Sequence, residues 1–255
     1  MLKISFATEK GGVGKSTTCL SLAGAYAKTG RTVHIIDLDT RRDISRWLSK
    51  NQPPLPNIAF STCEPQQLGA HIQEVSDSRR PDFCFIDLPG LMEVALTIAS
   101  YRADLTILPL KPSNEAEVFG AANVAQHIKT MCQKHGGVPF YRVLFTRVQP
   151  IVTMSHLHGK LQVHNLQLPE LSTQLTQRTA YEEMSYSGRP PHFAPIRDTT
   201  AKAVEELDKL KAELDRLLGT KAKAVAKLGR LKAELDQLPG AEPAPHTTPQ
   251  LGKSA

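Results

Sequence analysis

Short apolar segments alternate with longer amphipathic segments along the first part of the chain. The apolar segments are rich in Ile, Leu, Val and Phe, a composition typical of strands that are buried on both faces of a sheet. Two longer segments, residues 16–28 and 116–135, carry apolar side chains at helical spacing and predict helices. The predicted strands are residues 2–8, 32–38, 83–88, 104–110 and 141–145.

Strands that alternate with helices predict an α/β fold in which a mostly parallel central sheet is flanked by helices. In such sheets, ligands bind at the carboxyl ends of the strands. A glycine-rich turn at residues 9–14 follows the first predicted strand, while Asp37, Asp39 and Asp87 lie at the ends of two others. We therefore expect the turn and the three aspartates to meet at one edge of the sheet.

The last part of the chain has a different pattern. Residues 207–238 follow a heptad spacing, and the segment LKAELD occurs twice, three heptads apart. This pattern predicts a helix of the coiled-coil type, which Gly219 and Gly229 weaken. The heptad positions are Leu207, Leu210, Leu214, Leu217, Lys221, Ala224, Leu228, Leu231, Leu235 and Leu238.

These patterns divide the chain into three predicted parts. Residues 1–218 form the main domain and residues 219–238 a helical, coiled-coil-like extension, while residues 239–255, rich in Pro, Thr and Ala, form a disordered tail. We interpret the first half of the heptad pattern, residues 199–218, as the last helix of the main domain. The second half stays open between a coiled coil and a solvated helix.

A run of glycines and lysines, EKGGVGKST at residues 9–17, lies between the first predicted strand and the first predicted helix. Glycines allow backbone N–H groups to approach phosphates closely, and a helix N-terminus favours anions. The sequence therefore predicts a phosphate-binding loop in which Lys15 reaches the β- and γ-phosphates and the Ser16 hydroxyl binds Mg²⁺. The predicted nucleotide-binding residues are Gly11, Gly12, Val13, Gly14, Lys15, Ser16 and Thr17.

The loop differs from the ordinary phosphate-loop consensus in two places. Glu9 stands where the consensus has glycine, and Lys10 is an additional lysine. With Lys10, the loop resembles the deviant Walker A motif of the ParA/MinD superfamily of P-loop NTPases, and above all that of the small ParA-type partition proteins. The resemblance covers residues 1–218. It implies a catalytic ATPase that uses ATP and Mg²⁺, in which Lys10 crosses a dimer interface and touches the phosphates of the partner's nucleotide.

The aspartates at the strand ends extend the resemblance. Asp37 and Asp39 match a D-x-D motif of the family, which implies that Asp37 lies near the Mg²⁺ shell and that Asp39 positions the attacking water. A carboxylate suits the second role because it can orient a water or accept its proton. Asp87 matches the Walker B aspartate, which implies that it holds Mg²⁺ through a water. After Asp39 the family often has Pro-Gln, whereas residues 40–42 of this chain are Thr-Arg-Arg.

Four further features resemble the family. Residues 103–113 resemble a strand followed by a proline loop on the nucleotide side, and Arg178 matches an arginine that lines the dimer face. We expect contact with the nucleotide base at residues 191–197. Trp47 matches a tryptophan that is common in small ParA proteins, and we interpret it as a packing residue.

The charge of the chain points to a polyanionic partner. The 31 basic and 25 acidic residues give a formal charge of +6, and the pI is about 9.1. Such a charge favours nucleic acid or anionic lipid, although ordinary surface charge is an alternative explanation. The candidate DNA contacts are Arg142, Arg147, Lys160 and Arg189.

Cysteine usage and hydropathy narrow the class of protein. The four cysteines show no CxxC spacing, so zinc and iron–sulfur sites are not expected. No secretory signal and no apolar stretch of membrane-spanning length is visible in the sequence. We therefore expect a soluble, cytoplasmic protein.

The resemblance to ParA-type proteins implies a role in the segregation of plasmid or chromosomal DNA. ATP is expected to drive formation of a homodimer that binds non-specific DNA on the nucleoid, and a ParB-like centromere-binding or adaptor protein to stimulate slow hydrolysis. Two alternatives stay open, namely conjugative DNA transfer and MinD-like positioning on a membrane or protein scaffold. Residues 207–238 contain no aromatic residue, so no stable membrane anchor is expected.

Overall fold

A six-stranded sheet is the centre of the computed structural model, which describes residues 1–90, 93–112 and 114–235. Its spatial order is β3-β2-β4-β1-β5-β6, and each pair of neighbouring strands in this described sheet is parallel. The strands are β1 Leu2–Phe6, β2 Val33–Asp37, β3 Ile58–Ser61, β4 Phe83–Asp87, β5 Leu105–Leu110 and β6 Tyr141–Phe145. The predicted parallel α/β fold is confirmed.

Helices connect the strands and cover both faces of the sheet. They are α1 Lys15–Lys28, α2 Asp43–Leu48, α3 Leu68–Ser78, α4 Glu93–Arg102, α5 Glu115–Lys134, α6 Met154–Asn165, α7 Thr179–Ser187 and α8 Asp198–Leu235. Short 3₁₀ turns occur at Pro65–Gln67 and Pro191–Phe193. The two predicted helices correspond to α1 and α5, with ends that shift by one residue. The strand β3 was not predicted, because it lies half-buried at the edge of the sheet and its apolar run, residues 58–60, is only three residues long.

The register of the central strands aligns their carboxyl ends. Asp37 at the end of β2 pairs in register with Asp87 at the end of β4, and Phe6 at the end of β1 also pairs with Asp87. All residues of β2 and β4 are buried, because helices pack on both faces. Asp37 and Asp87 therefore lie side by side at the edge of the sheet where β1 ends and the glycine-rich loop begins.

Aromatic packing joins α1 to the sheet and to α8. The Tyr26 ring of α1 lies 4.1 Å from the Phe83 ring of β4, measured between centroids. The Tyr26 hydroxyl donates a hydrogen bond of 2.9 Å to Asp215 Oδ1, and burial raises the pKa of this tyrosine. Through Tyr26, α1 therefore contacts the sheet at β4 and also contacts α8.

The first half of the heptad pattern serves the core of the domain. Its positions Leu207, Leu210 and Leu214 are fully buried, as is Ala203 before them, whereas the heptad position Leu217 is only half-buried. The first compact unit of the chain is Met1–Asp215, and a second unit begins at Arg216, although α8 continues to Leu235. The proposed domain boundary at residue 218 stays a prediction, and the predicted tail at residues 239–255 lies outside the described residues. Within the described part, no helix is long and apolar enough to cross a bilayer.

Gly188 fixes the distance between α2 and the end of α7. It ends α7 in the left-handed conformation with φ 70°, and a Cβ atom there would lie 2.0 Å from the carbonyl oxygen of Trp47. We predict that Gly188→Ala lowers the free energy of unfolding by about 2–4 kcal/mol, because the strain of a left-handed alanine adds to an overpacked contact. Urea unfolding measures this change.

Gly30 provides a matched control for this substitution. Its φ is 84°, but a Cβ atom would meet nothing within 4 Å. The Gly30→Ala variant therefore carries only the backbone strain of about 1–2 kcal/mol. Equal losses of stability in the two variants would contradict the close contact at Gly188.

Candidate active site

The loop between β1 and α1 presents backbone N–H groups at the edge of the sheet. Gly12 and Gly14 have φ values of 86° and 95°, which side chains of L-residues rarely allow. Gly14 precedes the first residue of α1, and within the described residues no side chain caps this helix. Because the first N–H groups of a helix have no partner inside the helix, an anion is well placed to accept hydrogen bonds from them.

Residues that follow β6 clamp the glycine loop. The Thr146 hydroxyl donates a hydrogen bond of 2.6 Å to the Val13 carbonyl, and Arg147 Nη1 donates one of 2.6 Å to the Gly12 carbonyl. Both bonds use carbonyl oxygens of the loop as acceptors and so fix its backbone. This clamp was not predicted from the sequence, although two polar residues directly after a predicted strand were a signal for it.

Lys15 and Asp87 form a buried ion pair at the start of α1. Lys15 Nζ lies 2.8 Å from Asp87 Oδ1 and 3.4 Å from Asp39 Oδ2, and the Ser16 hydroxyl donates a hydrogen bond of 2.6 Å to Asp87 Oδ2. The Lys15 side chain is 8% exposed, and that of Asp87 is fully buried. Burial alone would lower the pKa of Lys15, but the two carboxylates outweigh it and raise that pKa. Four predicted site residues therefore meet at one point.

Asp37 has a different environment from its neighbour in the sheet. One oxygen of its buried carboxylate accepts hydrogen bonds from the Ser45 backbone N–H at 2.9 Å and from the Ser45 hydroxyl at 2.8 Å. The other accepts one of 3.2 Å from the Asp39 backbone N–H. In this structure the Asp37 carboxylate therefore holds the segment between β2 and α2, while Asp87 and Asp39 face Lys15.

Residues 40–42, where the sequence departs from the family pattern, form a turn that leads into α2. The Arg41 backbone N–H donates a hydrogen bond of 2.9 Å to Asp39 Oδ1. Arg42 has a left-handed backbone with φ 51°, and its guanidinium donates to the Asp37 carbonyl. Together with the Lys15 contact, this turn fixes both carboxylate oxygens of Asp39.

Glu9 anchors the beginning of the loop to α5. Its Oε2 atom accepts a hydrogen bond of 3.2 Å from the side-chain amide of Asn123. A Cβ atom at Gly120 would lie 2.9 Å from the same oxygen, so the glycine leaves room for the glutamate. The residue that departs from the ordinary consensus therefore has a structural contact that the sequence alone did not indicate.

An open cleft of about 650 Å³ extends from the loop toward α7, a volume within the usual range for a small-molecule site. Lys10, the loop glycines, Lys15, Ser16, Thr17 and Asp39 line one side. The remaining lining includes Arg41, Trp47, Thr146, Arg147, Arg178, Tyr181 and Tyr186. Trp47, interpreted as a packing residue, is half-buried and borders this space.

Arg178 borders the cleft and also forms an ion pair with Glu206 of α8. Its Nη2 atom lies 2.6 Å from Glu206 Oε1, and Glu206 also accepts a hydrogen bond of 3.4 Å from the Tyr181 hydroxyl. The hydrogen bond to Glu206 is the main cause that raises the pKa of Arg178. Arg178 thus connects the cleft to α8.

The segment predicted to contact the nucleotide base packs elsewhere. The described lining of the cleft does not include residues 191–197. Phe193 lies under Lys28 of α1, with 5.5 Å between Nζ and the ring centroid. A Cβ atom at Gly24 of α1 would lie 2.7 Å from Pro190 Cγ, so this glycine admits the segment against the helix. The geometry therefore gives no support to residues 191–197 as the base site.

The four candidate DNA contacts are each engaged within the domain. Arg147 clamps the glycine loop, and Arg142 stacks on Phe140 with 4.8 Å between its Cζ atom and the ring centroid. Lys160 Nζ donates a hydrogen bond of 2.9 Å to Gln174, and Arg189 Nε donates one of 3.3 Å to Asn51. The structure therefore does not single them out as a common surface.

Two proteins of similar sequence and one solved structure are similar to this chain over most of its length. The protein ParA of Rhizobium radiobacter is 25% identical over 207 residues, which cover 79% of this chain and 90% of that protein. The maintenance of carboxysome distribution protein A of Gloeobacter kilaueensis is 25% identical over 213 residues, 81% of this chain and 91% of that protein. The septum site-determining protein MinD of Pyrococcus horikoshii OT3, solved in complex with Mg-ADP, superimposes with a TM-score of 0.64 at 19% identity, over 87% of this chain and 99% of that chain.

The family resemblance found in the sequence is confirmed by a match over most of the chain. Residues 4–221 match the family described as the CobQ/CobB/MinD/ParA nucleotide binding domain. The similarity to the MinD structure supports the same fold, and at 19% sequence identity it supports the fold alone. This chain belongs to the CobQ/CobB/MinD/ParA nucleotide-binding domain family.

Proposed function

We propose that this protein is an ATPase that binds ATP with Mg²⁺ and uses the nucleotide to switch its binding to DNA. The observation that carries the proposal is the meeting of Lys15, Ser16, Asp87 and Asp39 beside an uncapped helix N-terminus and a left-handed glycine loop. This arrangement joins positive charge for phosphates, oxygen donors for a hard cation and a carboxylate for water.

The loop and Lys15 hold the phosphates. Backbone N–H groups of residues 11–17 donate hydrogen bonds to phosphate oxygens, and the Lys15 ammonium offsets the charge of the β- and γ-phosphates. Lys15 is already directed by Asp87 and Asp39, so little side-chain freedom is lost when a phosphate binds.

Ser16 and Asp87 are the residues that hold Mg²⁺. Their oxygens lie 2.6 Å apart, and oxygen is the donor that Mg²⁺ prefers. When bound, Mg²⁺ neutralises charge that develops on the phosphate oxygens. Asp37 adds negative charge beside Asp87 in the sheet, and its carboxylate accepts hydrogen bonds from Ser45 and from the Asp39 backbone, so it would support the Mg²⁺ site through its charge.

Asp39 orients the water that attacks the γ-phosphorus. A bond forms between the water oxygen and phosphorus, the bond to the β–γ bridging oxygen breaks, and ADP and phosphate leave with the proton of the water. Asp39 suits this role because its side chain is 20% exposed, which allows contact with water, while Lys15 and the Arg41 backbone fix its carboxylate.

Lys10 acts between two copies of the chain. It lines the cleft near the loop, and the Thr8 hydroxyl fixes its backbone by donating a hydrogen bond of 2.8 Å to its carbonyl. We assign it the role of contacting the phosphates of the nucleotide in the partner protomer, so that ATP favours a homodimer. Arg178, at the same cleft, is assigned to the dimer face.

DNA segregation is the cargo function that we favour. The similarity to ParA of Rhizobium radiobacter over 90% of that protein supports it, as does the formal charge of +6. The dimer then binds DNA of any sequence on the nucleoid in the cytoplasm, and a ParB-like centromere-binding or adaptor protein stimulates hydrolysis. The similarity to a carboxysome distribution protein favours a second candidate, namely the positioning of another cargo.

The phosphate role of Lys15 predicts a loss of nucleotide affinity. We expect Lys15→Gln to weaken ATP binding by at least about 100-fold, because a charge-assisted contact worth about 1.5–3 kcal/mol is lost and the neighbouring carboxylates then repel the phosphates. Calorimetric titration with Mg-ATP measures the affinity, and a urea unfolding curve establishes that the variant is folded. Lys134→Gln, on an exposed lysine, is the control; unchanged affinity in folded Lys15→Gln would exclude this site.

The proposed role of Asp39 predicts that its removal impairs ATP hydrolysis but not ATP binding. We expect Asp39→Ala to bind ATP normally and to accumulate as a dimer, while steady-state hydrolysis falls by about 10²–10⁴-fold because no carboxylate orients the water. Phosphate release and light scattering report the two properties. Asp77→Ala, on α3, is the control with full turnover. Normal hydrolysis by Asp39→Ala would remove this residue from the mechanism.

The proposed switch predicts nucleotide-dependent DNA binding. We expect non-specific double-stranded DNA to bind tightly with ATP, and weakly with ADP or without nucleotide. The affinity is expected to fall steeply as salt increases, because phosphate contacts release counterions. Fluorescence anisotropy at two salt concentrations measures this. Binding that does not depend on the nucleotide would refute the switch, and an absence of DNA binding would favour the positioning of another cargo.

A further inference from the structure

The net positive charge of the protein is concentrated in one helical segment. Residues 216–233 of α8 contain six basic residues and no acidic residue. The whole chain has 31 basic and 25 acidic residues, so removal of these six leaves 25 of each sign. The rest of the chain is therefore formally neutral. The six basic residues are Arg216, Lys221, Lys223, Lys227, Arg230 and Lys232.

The preceding half of the same helix has the opposite charge balance. Residues 198–215 contain six acidic and three basic residues. Each of the three lysines lies about one turn from a carboxylate with which it forms an ion pair: Lys202 with Asp198, Lys209 with Glu205 and Lys211 with Asp215. Pairs of this kind need an acidic residue three or four positions away. Lys223 and Lys227 have no acidic residue three or four positions away, so such pairs are not open to them, whereas Arg216 has Glu213 three positions before it.

Part of this charge forms a stripe along the helix. Arg216, Lys223 and Lys227 are exposed, and their spacing of seven and four residues places them within about 40° of one another around the helix axis. The three positions span about 17 Å at 1.5 Å per residue. Arg230 continues this spacing in the sequence. We call the face that carries Arg216, Lys223 and Lys227 the basic stripe.

We propose that the basic stripe is the surface through which this protein binds the phosphate backbone of DNA. The inference rests on the proposed function and adds the location of the contact, which the candidate residues of the domain did not supply. B-DNA carries one negative charge per about 1.7 Å of its axis, so a row of cations along 17 Å faces several phosphates. Such contacts carry no sequence information, as non-specific binding requires.

The composition of the segment favours nucleic acid over a bilayer. A helix that lies in a membrane interface needs a continuous apolar face, commonly with Trp or Phe. Residues 198–235 contain no aromatic residue, and the heptad position at Lys221 interrupts the apolar series. The matched family region ends at residue 221, so most of the segment is an addition to the family domain.

The test compares a variant that loses positive charge on the basic stripe with a variant that loses the same charge at other positions of the chain. The stripe variant is Arg216→Gln, Lys223→Gln and Lys227→Gln combined, in the full-length chain. The control variant is Lys134→Gln, Lys202→Gln and Lys209→Gln combined, which changes the net charge equally. Affinity for non-specific double-stranded DNA is measured with ATP over a series of salt concentrations, together with ATP hydrolysis and binding to vesicles of anionic lipid.

We expect the stripe variant to bind DNA about 100-fold more weakly at 0.1 M salt and to reduce the slope of log affinity against log salt by about 2 to 3, since each lost phosphate contact removes about 0.9. The control variant keeps the affinity within about threefold, and both keep the hydrolysis rate of the unmodified chain. These results would support the stripe as the DNA surface.

Two outcomes would overturn the inference, and they differ in what they leave standing. Equal DNA affinity in the stripe and control variants, with nucleotide-dependent binding intact, would reject the stripe and leave the proposed function in place. If the unmodified chain binds anionic vesicles through the stripe and binds no DNA, both the inference and the DNA function are wrong. If that chain still hydrolyses ATP, the assignment as an ATPase remains valid.

Discussion

The structure depends on a charged carboxylate that is buried at the end of a central strand. Asp87 has no solvent exposure, and an isolated ion in such a place is strongly unfavourable. The Lys15 ammonium, 2.8 Å away, and the Ser16 hydroxyl offset part of the lost hydration, and burial still raises the pKa of Asp87. Because both partners belong to the first turn of α1, this one ion pair fixes the helix start on the sheet edge. The glycine loop must then span the remaining distance from β1 in a left-handed conformation.

The same pair determines which ligand suits the site. An anion that binds at the loop brings negative charge next to Asp87 and Asp39, both of which already face Lys15. Lys15 alone cannot neutralise two carboxylates and a polyphosphate, so a divalent cation that accompanies the anion is favoured at this point. Asp39 also joins the ion pair to the turn that leads into α2. A change of charge at the loop therefore acts directly on the segment that Asp37 holds through Ser45.

The distribution of charge separates two tasks along the chain. Apart from residues 216–233 the chain is formally neutral, and its lysines on the first half of α8 are paired with carboxylates. Residues 216–233 contain six basic and no acidic residues, and most of this segment lies beyond the matched family region. In the proposed function, chemistry at the sheet edge and attraction of a polyanion belong to different stretches of sequence.

The sequence by itself determined five of the six strands, the helices α1 and α5, the glycine-rich loop between β1 and α1, and the edge of the sheet at which the acidic residues meet. These follow from local composition, because a buried parallel strand needs an apolar run and a tight loop needs glycine. Only the tertiary structure decided that Asp37 binds Ser45, that Glu9 contacts Asn123 and that Arg147 clamps Gly12. Glu9 and Asn123 are 114 positions apart, and Gly12 and Arg147 are 135 apart. A polar side chain forms hydrogen bonds with groups that lie within about 3 Å in the folded chain. The separation of two residues in the sequence does not indicate whether they are that close in the fold.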